Sequence, residues 1–134
     1  MINNLIVIIQ KEKDALNALL KLLERQYKNI LNKEIFALDA IVDEIKLANR
    51  AVAQQEVVRR KILNGKKIQD IINESGNKDL DRAYREIKII LKSVEQQNET
   101  NELLIKQQLI FTNRMLSIIN PKREMGTYNS YGRL

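Results

Sequence analysis

The chain contains no cysteine and no histidine. That absence excludes disulfides, thiolate and imidazole metal sites, Cys-His and Ser-His nucleophile pairs and proton transfer through imidazole. Carboxylate, lysine, tyrosine and hydroxyl chemistry are left, and the sequence reads as a non-enzyme that needs no cofactor. Tryptophan is also absent, and two phenylalanines and four tyrosines are the only aromatics, which gives little for bases to stack on. One proline and four glycines in 134 residues leave long stretches free of helix breakers and argue against a sheet protein. The longest aliphatic run, LIVII at residues 5–9, is too short to span a bilayer. No basic stretch followed by an apolar block opens the chain, so the expectation is a cytoplasmic protein that is not membrane-inserted.

Charge is plentiful, with a net value of +6. Its densest basic stretch, Arg59, Arg60, Lys61, Lys66 and Lys67, falls around an expected helix end. Basic groups at a helix C-terminus complement its dipole. A phosphate-binding patch would use the same residues, but no nucleic-acid motif accompanies them, and nucleic acid is not the expected partner. Asp39 and Asp43 lie one turn apart and Asp79 and Asp81 flank a turn. Carboxylates so placed read as solvated or capping groups rather than as a metal site.

The apolar residues recur at helical spacing. Ile2, Ile9, Leu16, Leu23 and Ile30 repeat every seven residues and predict a first helix over residues 2–31. Asn32 is placed to stop that helix and cap the next. A second helix is predicted over residues 33–63, with Ile35, Leu38, Ile41, Val42, Ile45, Ala48, Val52 and Ile62 on one side. It ends at LNG, where Gly65 suits the left-handed conformation. Ile68, Ile71 and Ile72 predict a short third helix before the turn cluster ESGNKD. Asn77 or Asp79 then caps a last helix that runs to about residue 120 and stops at Pro121. The expected fold is all-α: an elongated antiparallel bundle of three long helices with a short connecting helix, residues 1–120, and a flexible C-terminal tail, residues 121–134. A coiled-coil homodimer satisfies the same heptads.

Inside the last helix, residues 95–102 are polar without interruption. One seven-residue register runs Tyr84, Leu91, Asn98, Ile105, Thr112, Ile119, and its neighbour runs Leu80, Ile87, Val94, Asn101, Gln108, Met115. Both seams pass through asparagine in one layer. Two readings stand. Asn98 and Asn101 form a buried register device, or they mark where the helix leaves its own bundle and meets a partner. Beyond them the apolar arc widens. Ile105, Leu109, Leu116 and Ile119 continue the first face, while Leu104, Phe111, Met115 and Ile118 add a second stripe. At about 100° per residue the combined arc approaches 180°, too wide for two companion helices to cover. A strip of this kind fits an amphipathic helix from another chain, and Met115 and Phe111 give it adaptable and aromatic surface. Self-dimerisation or a folded-back tail is the alternative cover, with less support than a partner helix.

NETNELLIKQQLIFTNRMLSIINP, followed by TYNSYGRL, resembles the C-terminal signature of FlgN-type flagellar export chaperones. The positions that carry the resemblance are Asn98, Asn101, Leu103, Leu104, Tyr128, Asn129 and Gly132, with Glu102 standing where relatives often have glycine. The leucine-rich first helix and the second helix ending in RRKILNG follow the family layout along nearly the whole chain. The resemblance implies a cytoplasmic type III export chaperone. It would hold the C-terminal helical segment of the hook-filament junction (hook-associated) proteins and deliver them to the cytoplasmic domain of the flagellar export gate. Asn98, Asn101, Leu104, Gln108, Phe111, Met115 and Ile118 are the candidate substrate-binding residues. Tyr128, Asn129 and Gly132 are those for the gate, with Tyr131 as a second tail aromatic. The competing expectations are a self-associating coiled-coil protein and, with less support, a basic helical nucleic-acid binder whose affinity would fall steeply with salt.

Overall fold

The computed structural model describes residues 1–120, which form four helices joined by short turns. The first, α1 (Ile2–Leu31), buries Leu5, Ile9, Leu16, Leu23 and Ile30 on one face, as its heptads predict. It stops at Asn32, whose N–H donates to the Lys28 carbonyl, and Lys33 follows at φ +54°. Glu34, not Asn32, then occupies the N-cap position of α2 (Ile35–Leu63), and its side chain makes no capping bond. The chain reversal needs the left-handed Lys33, so Asn32 ends one helix without reaching the next.

Helix α2 ends on two successive left-handed residues, Asn64 at φ +49° and Gly65 at φ +83°. Helix α3 (Ile68–Ser75) has Ile68, Ile71 and Ile72 buried on one side and ends at Gly76, φ +62°. At the start of α4 (Lys78–Ile119), the Asn77 side chain accepts from the Leu80 N–H at 3.0 Å. Asn77 is therefore the cap, and Asp79 lies within the first turn, where its charge complements the helix dipole.

Helix α1 is the central element and packs along both α2 and α4, which meet each other only sparsely. The cross-helix bonds give the directions. Glu12 pairs with Arg59 and Arg25 with Glu44, so α1 and α2 run in opposite senses. Lys13 pairs with Glu86, Asn101 bonds to Leu23 and Gln108 to Ile30, so α1 and α4 run in the same sense.

The core is concentrated at one end. Leu5 to Leu23 of α1, Leu63, the three α3 isoleucines and Leu80 to Val94 of α4 form a single buried cluster. Each fully buried Leu or Ile there contributes about 1.5–3 kcal/mol relative to exposure. Toward the α1–α2 turn the buried apolar residues reduce to Ile30 and Ile41, outside that cluster. Ile35 and Val42, expected on the packed side of α2, are exposed there. Ile35 begins α2 beyond the last residue of α1, so α1 does not cover it.

Candidate protein-binding surface

At the thinly packed end, carboxamides replace apolar side chains between α1 and α4. The seam Leu80, Ile87, Val94 is buried and apolar, and the next residue in the series, Asn101, is 1% exposed. Its Nδ2 donates to the Leu23 carbonyl at 2.8 Å and to Gln26 Oε1 at 2.9 Å, and its Oδ1 accepts from Gln97 Nε2 at 3.0 Å. One heptad on, Gln108 Nε2 donates to the Ile30 carbonyl at 2.9 Å. Ile30 lies in the last turn of α1, where its carbonyl also accepts from the Lys33 N–H at 3.2 Å. Two carboxamides seven residues apart thus bind two carbonyls seven residues apart.

The two asparagines of the polar stretch separate. Asn98 is exposed, and its Nδ2 donates to Glu102 Oε1 at 3.2 Å, which gives Glu102 a local partner one turn away. Asn101 is enclosed, with both amide atoms bonded inside the bundle. The register reading therefore describes Asn101, while Asn98 is open to a partner. Gln108 is half-buried and also bonded to α1.

Helix α4 continues past Gln108 for eleven residues after α1 has ended, about 17 Å at 1.5 Å per residue. On this extension the two predicted stripes behave differently. Ile105, Leu109 and Leu116 are half-buried. Phe111, Met115 and Ile118 are exposed, at 60%, 42% and 73%, with Leu104 half-buried beside them. Ile119, placed on the first face, is exposed as well. The second stripe is the larger uncovered apolar surface on the helix.

A further apolar tip was not among the candidates. Ile35 and Phe36 project from the start of α2, Phe36 at 92% exposure, and Leu31 at the end of α1 is exposed beside the turn. Periodicity assigns Ile35 to the core side. Only the register of α2 on α1, set by the Glu12–Arg59 and Arg25–Glu44 pairs, shows that α1 ends short of it.

The basic stretch is partly consumed by the fold. Arg59 Nε donates to Glu12 Oε1 at 2.8 Å, and Arg60 pairs with Glu56 one turn back. Glu12 is buried on α1, and burial raises its carboxyl above the ordinary 4.5, outweighing the lowering by the Arg59 guanidinium. This pair helps line a groove of about 360 Å³, together with Leu16, Val52, Ile87 and Ile68 of α3. Lys61, Lys66 and Lys67 remain exposed. Asp79 and Asp81 sit near Arg82 and Arg85, and no group of three potential metal ligands occurs among the described residues. No described helix is long and apolar enough to cross a membrane. The tail candidates Tyr128, Asn129, Tyr131 and Gly132, and the helix-stopping Pro121, lie outside the described residues.

The model of the family described as FlgN protein matches residues 1–134, the whole chain. No curated protein and no solved structure matches it.

Proposed function

The chain belongs to the FlgN family of flagellar chaperones, and we propose that it holds the C-terminal helical segment of the hook-filament junction proteins and delivers them to the export gate. The observation that supports this reading is the apolar stripe on α4 beyond the end of α1. A helix lacking one companion offers a long apolar edge to an incoming amphipathic helix, with anchors at spacings of three and four. Leu104, Phe111, Met115 and Ile118 supply the apolar contacts, and Asn98 supplies hydrogen bonds at the near end. Asn101 and Gln108 act from within by holding the α4 platform on α1.

In this reading residues 1–120 are the chaperone domain, an elongated helical bundle in which α1 lies antiparallel to α2 and parallel to α4, working in the cytoplasm, and residues 121–134 are the tail. Covering the assembly helix of a subunit before export prevents premature association without any chemical step, so the proposed activity is binding rather than catalysis. Tyr128, Asn129 and Gly132 are assigned to the cytoplasmic domain of the export gate. That assignment rests on the resemblance of the tail.

Calorimetric titration with a C-terminal helical peptide from each junction protein of the same cell tests the reading. The expected result is one-to-one binding at micromolar affinity or tighter, lost in a Leu104→Asp, Phe111→Asp chain that keeps its helical content. Two folded samples that ignore both peptides, together with a concentration-dependent dimer in sedimentation, would turn the stripe into a self-association surface.

A further inference from the structure

Between Lys33 and Lys46 the chain carries four carboxylates, Glu34, Asp39, Asp43 and Glu44, and no basic residue, although the whole protein has a net charge of +6. Arg25 pairs with Glu44. The other three are exposed and form no ion pair among the described residues. The same segment presents Ile35 and Phe36 to solvent, the latter at 92% exposure, beside a shallow hollow of about 480 Å³ formed by Lys33, Glu34, Ile35, Phe36 and Ala37. An exposed aromatic beside carboxylates that have no ion pair among the described residues calls for an occupant that is both apolar and basic.

Residues 121–134, PKREMGTYNSYGRL, have that composition. Lys122, Arg123 and Arg133 outnumber Glu124, and Met125, Tyr128, Tyr131 and Leu134 supply apolar anchors. The segment follows α4, whose last turns lie at the same end of the bundle as the α1–α2 turn, because Gln108 touches Ile30 and Phe36 follows that turn directly. Fourteen residues reach up to about 46 Å when extended, against an α4 extension of about 17 Å. Charge decides between the two apolar surfaces within reach. Lys106 and Arg114 are the only charged residues between Leu103 and Ile119, so the α4 stripe has a basic rim. We propose that residues 121–134 dock on the first turns of α2, with an apolar anchor on Ile35 and Phe36 and basic groups facing Glu34, Asp39 and Asp43. Tethering raises the effective concentration of the segment at this surface, so modest contacts suffice.

Because the chain lacks cysteine, a single nitroxide on Ser130→Cys of the full-length protein reports where the segment spends its time. The expected result is loss of amide signal at Ile35, Phe36 and Asp39. The loss recovers with added salt and in an Asp39→Lys, Asp43→Lys chain, as exposed charge attraction is screened. Phe36→Ser, which alters no buried residue, is a second variant expected to restore the signals. Loss confined to residues 104–118, or no loss near Phe36, overturns the proposal. So does loss carried from a spin-labelled copy to a separately isotope-labelled one, which would make the occupant a second molecule.

Discussion

Asn101 reaches across 78 positions of sequence to donate its Nδ2 hydrogen to the Leu23 carbonyl, at 2.8 Å, from a site that is 1% exposed. Leu23 is itself in the α1 core, so one carboxamide fixes the height of α4 along α1 where the apolar seam stops. Gln108 repeats the contact at Ile30. Sliding α4 by a heptad would bring Val94 or Gln108 to the Leu23 carbonyl and leave at least one carboxamide unmatched.

This makes the two asparagines unequal under mutation. Asn101→Ala leaves Gln26 and Gln97 without their partner and is expected to cost about 1–3 kcal/mol. Asn98→Ala removes an exposed bond to Glu102 and is expected to stay within about 0.5 kcal/mol. Urea unfolding of both chains checks the contrast, and equal losses would contradict the buried network.

Among the described residues, Gln108 makes the last cross-helix bond before α4 passes the end of α1. Amide exchange is expected to be slow through residues 80–101 and faster after Leu109, since a helix without tertiary cover opens locally. Gln108→Ala should move the boundary of fast exchange toward Asn101. An unchanged exchange profile would mean that the half-buried residues Ile105 and Leu109 hold this segment alone.

The apolar tip and the interior of α2 separate in the same way. Ile41→Ala removes a side chain that is 1% exposed, with an expected loss of about 2–5 kcal/mol. Phe36→Ser and Ile118→Asp should leave thermal stability nearly unchanged, since both side chains stand largely in solvent. A large loss in either variant would show that the surface is covered in the folded protein.

Glu12 gives a pH signature. Burial raises its carboxyl above 4.5, so between about pH 4.5 and the raised value the folded chain holds a proton that the unfolded chain has released. Its stabilising contribution is complete below that window and is lost as pH rises through it. Glu86 has the opposite sign, because the hydrogen bond and charge of Lys13 lower its carboxyl, and its contribution is lost as pH falls. The stability of the natural chain relative to Glu12→Gln should therefore decline as pH rises from about 4.5 to neutrality. A pH-independent difference would remove the buried carboxyl as its source.

Much of this architecture is legible without coordinates. The bounds of α1, the end of α2 at LNG, the three-isoleucine α3 and the long α4 follow from heptad spacing, glycine and asparagine, because helix formation and termination are local events. The all-helical class and the doubled stripe on α4 were equally readable from periodicity. Family membership rests on residues distributed over the whole chain.

Tertiary structure decided what local signals leave degenerate. Two adjacent seven-residue registers in α4 are equivalent until one of them lies against α1, and that contact put Asn101 inside and Asn98 outside. Arg59 belongs to a basic run in sequence, yet Glu12, 47 positions away, turns it inward. Ile35 has the spacing of a core residue and the exposure of a surface one, because α1 ends before reaching it. Periodicity determines which residues share a face. Where a neighbouring helix begins and ends determines whether that face is buried.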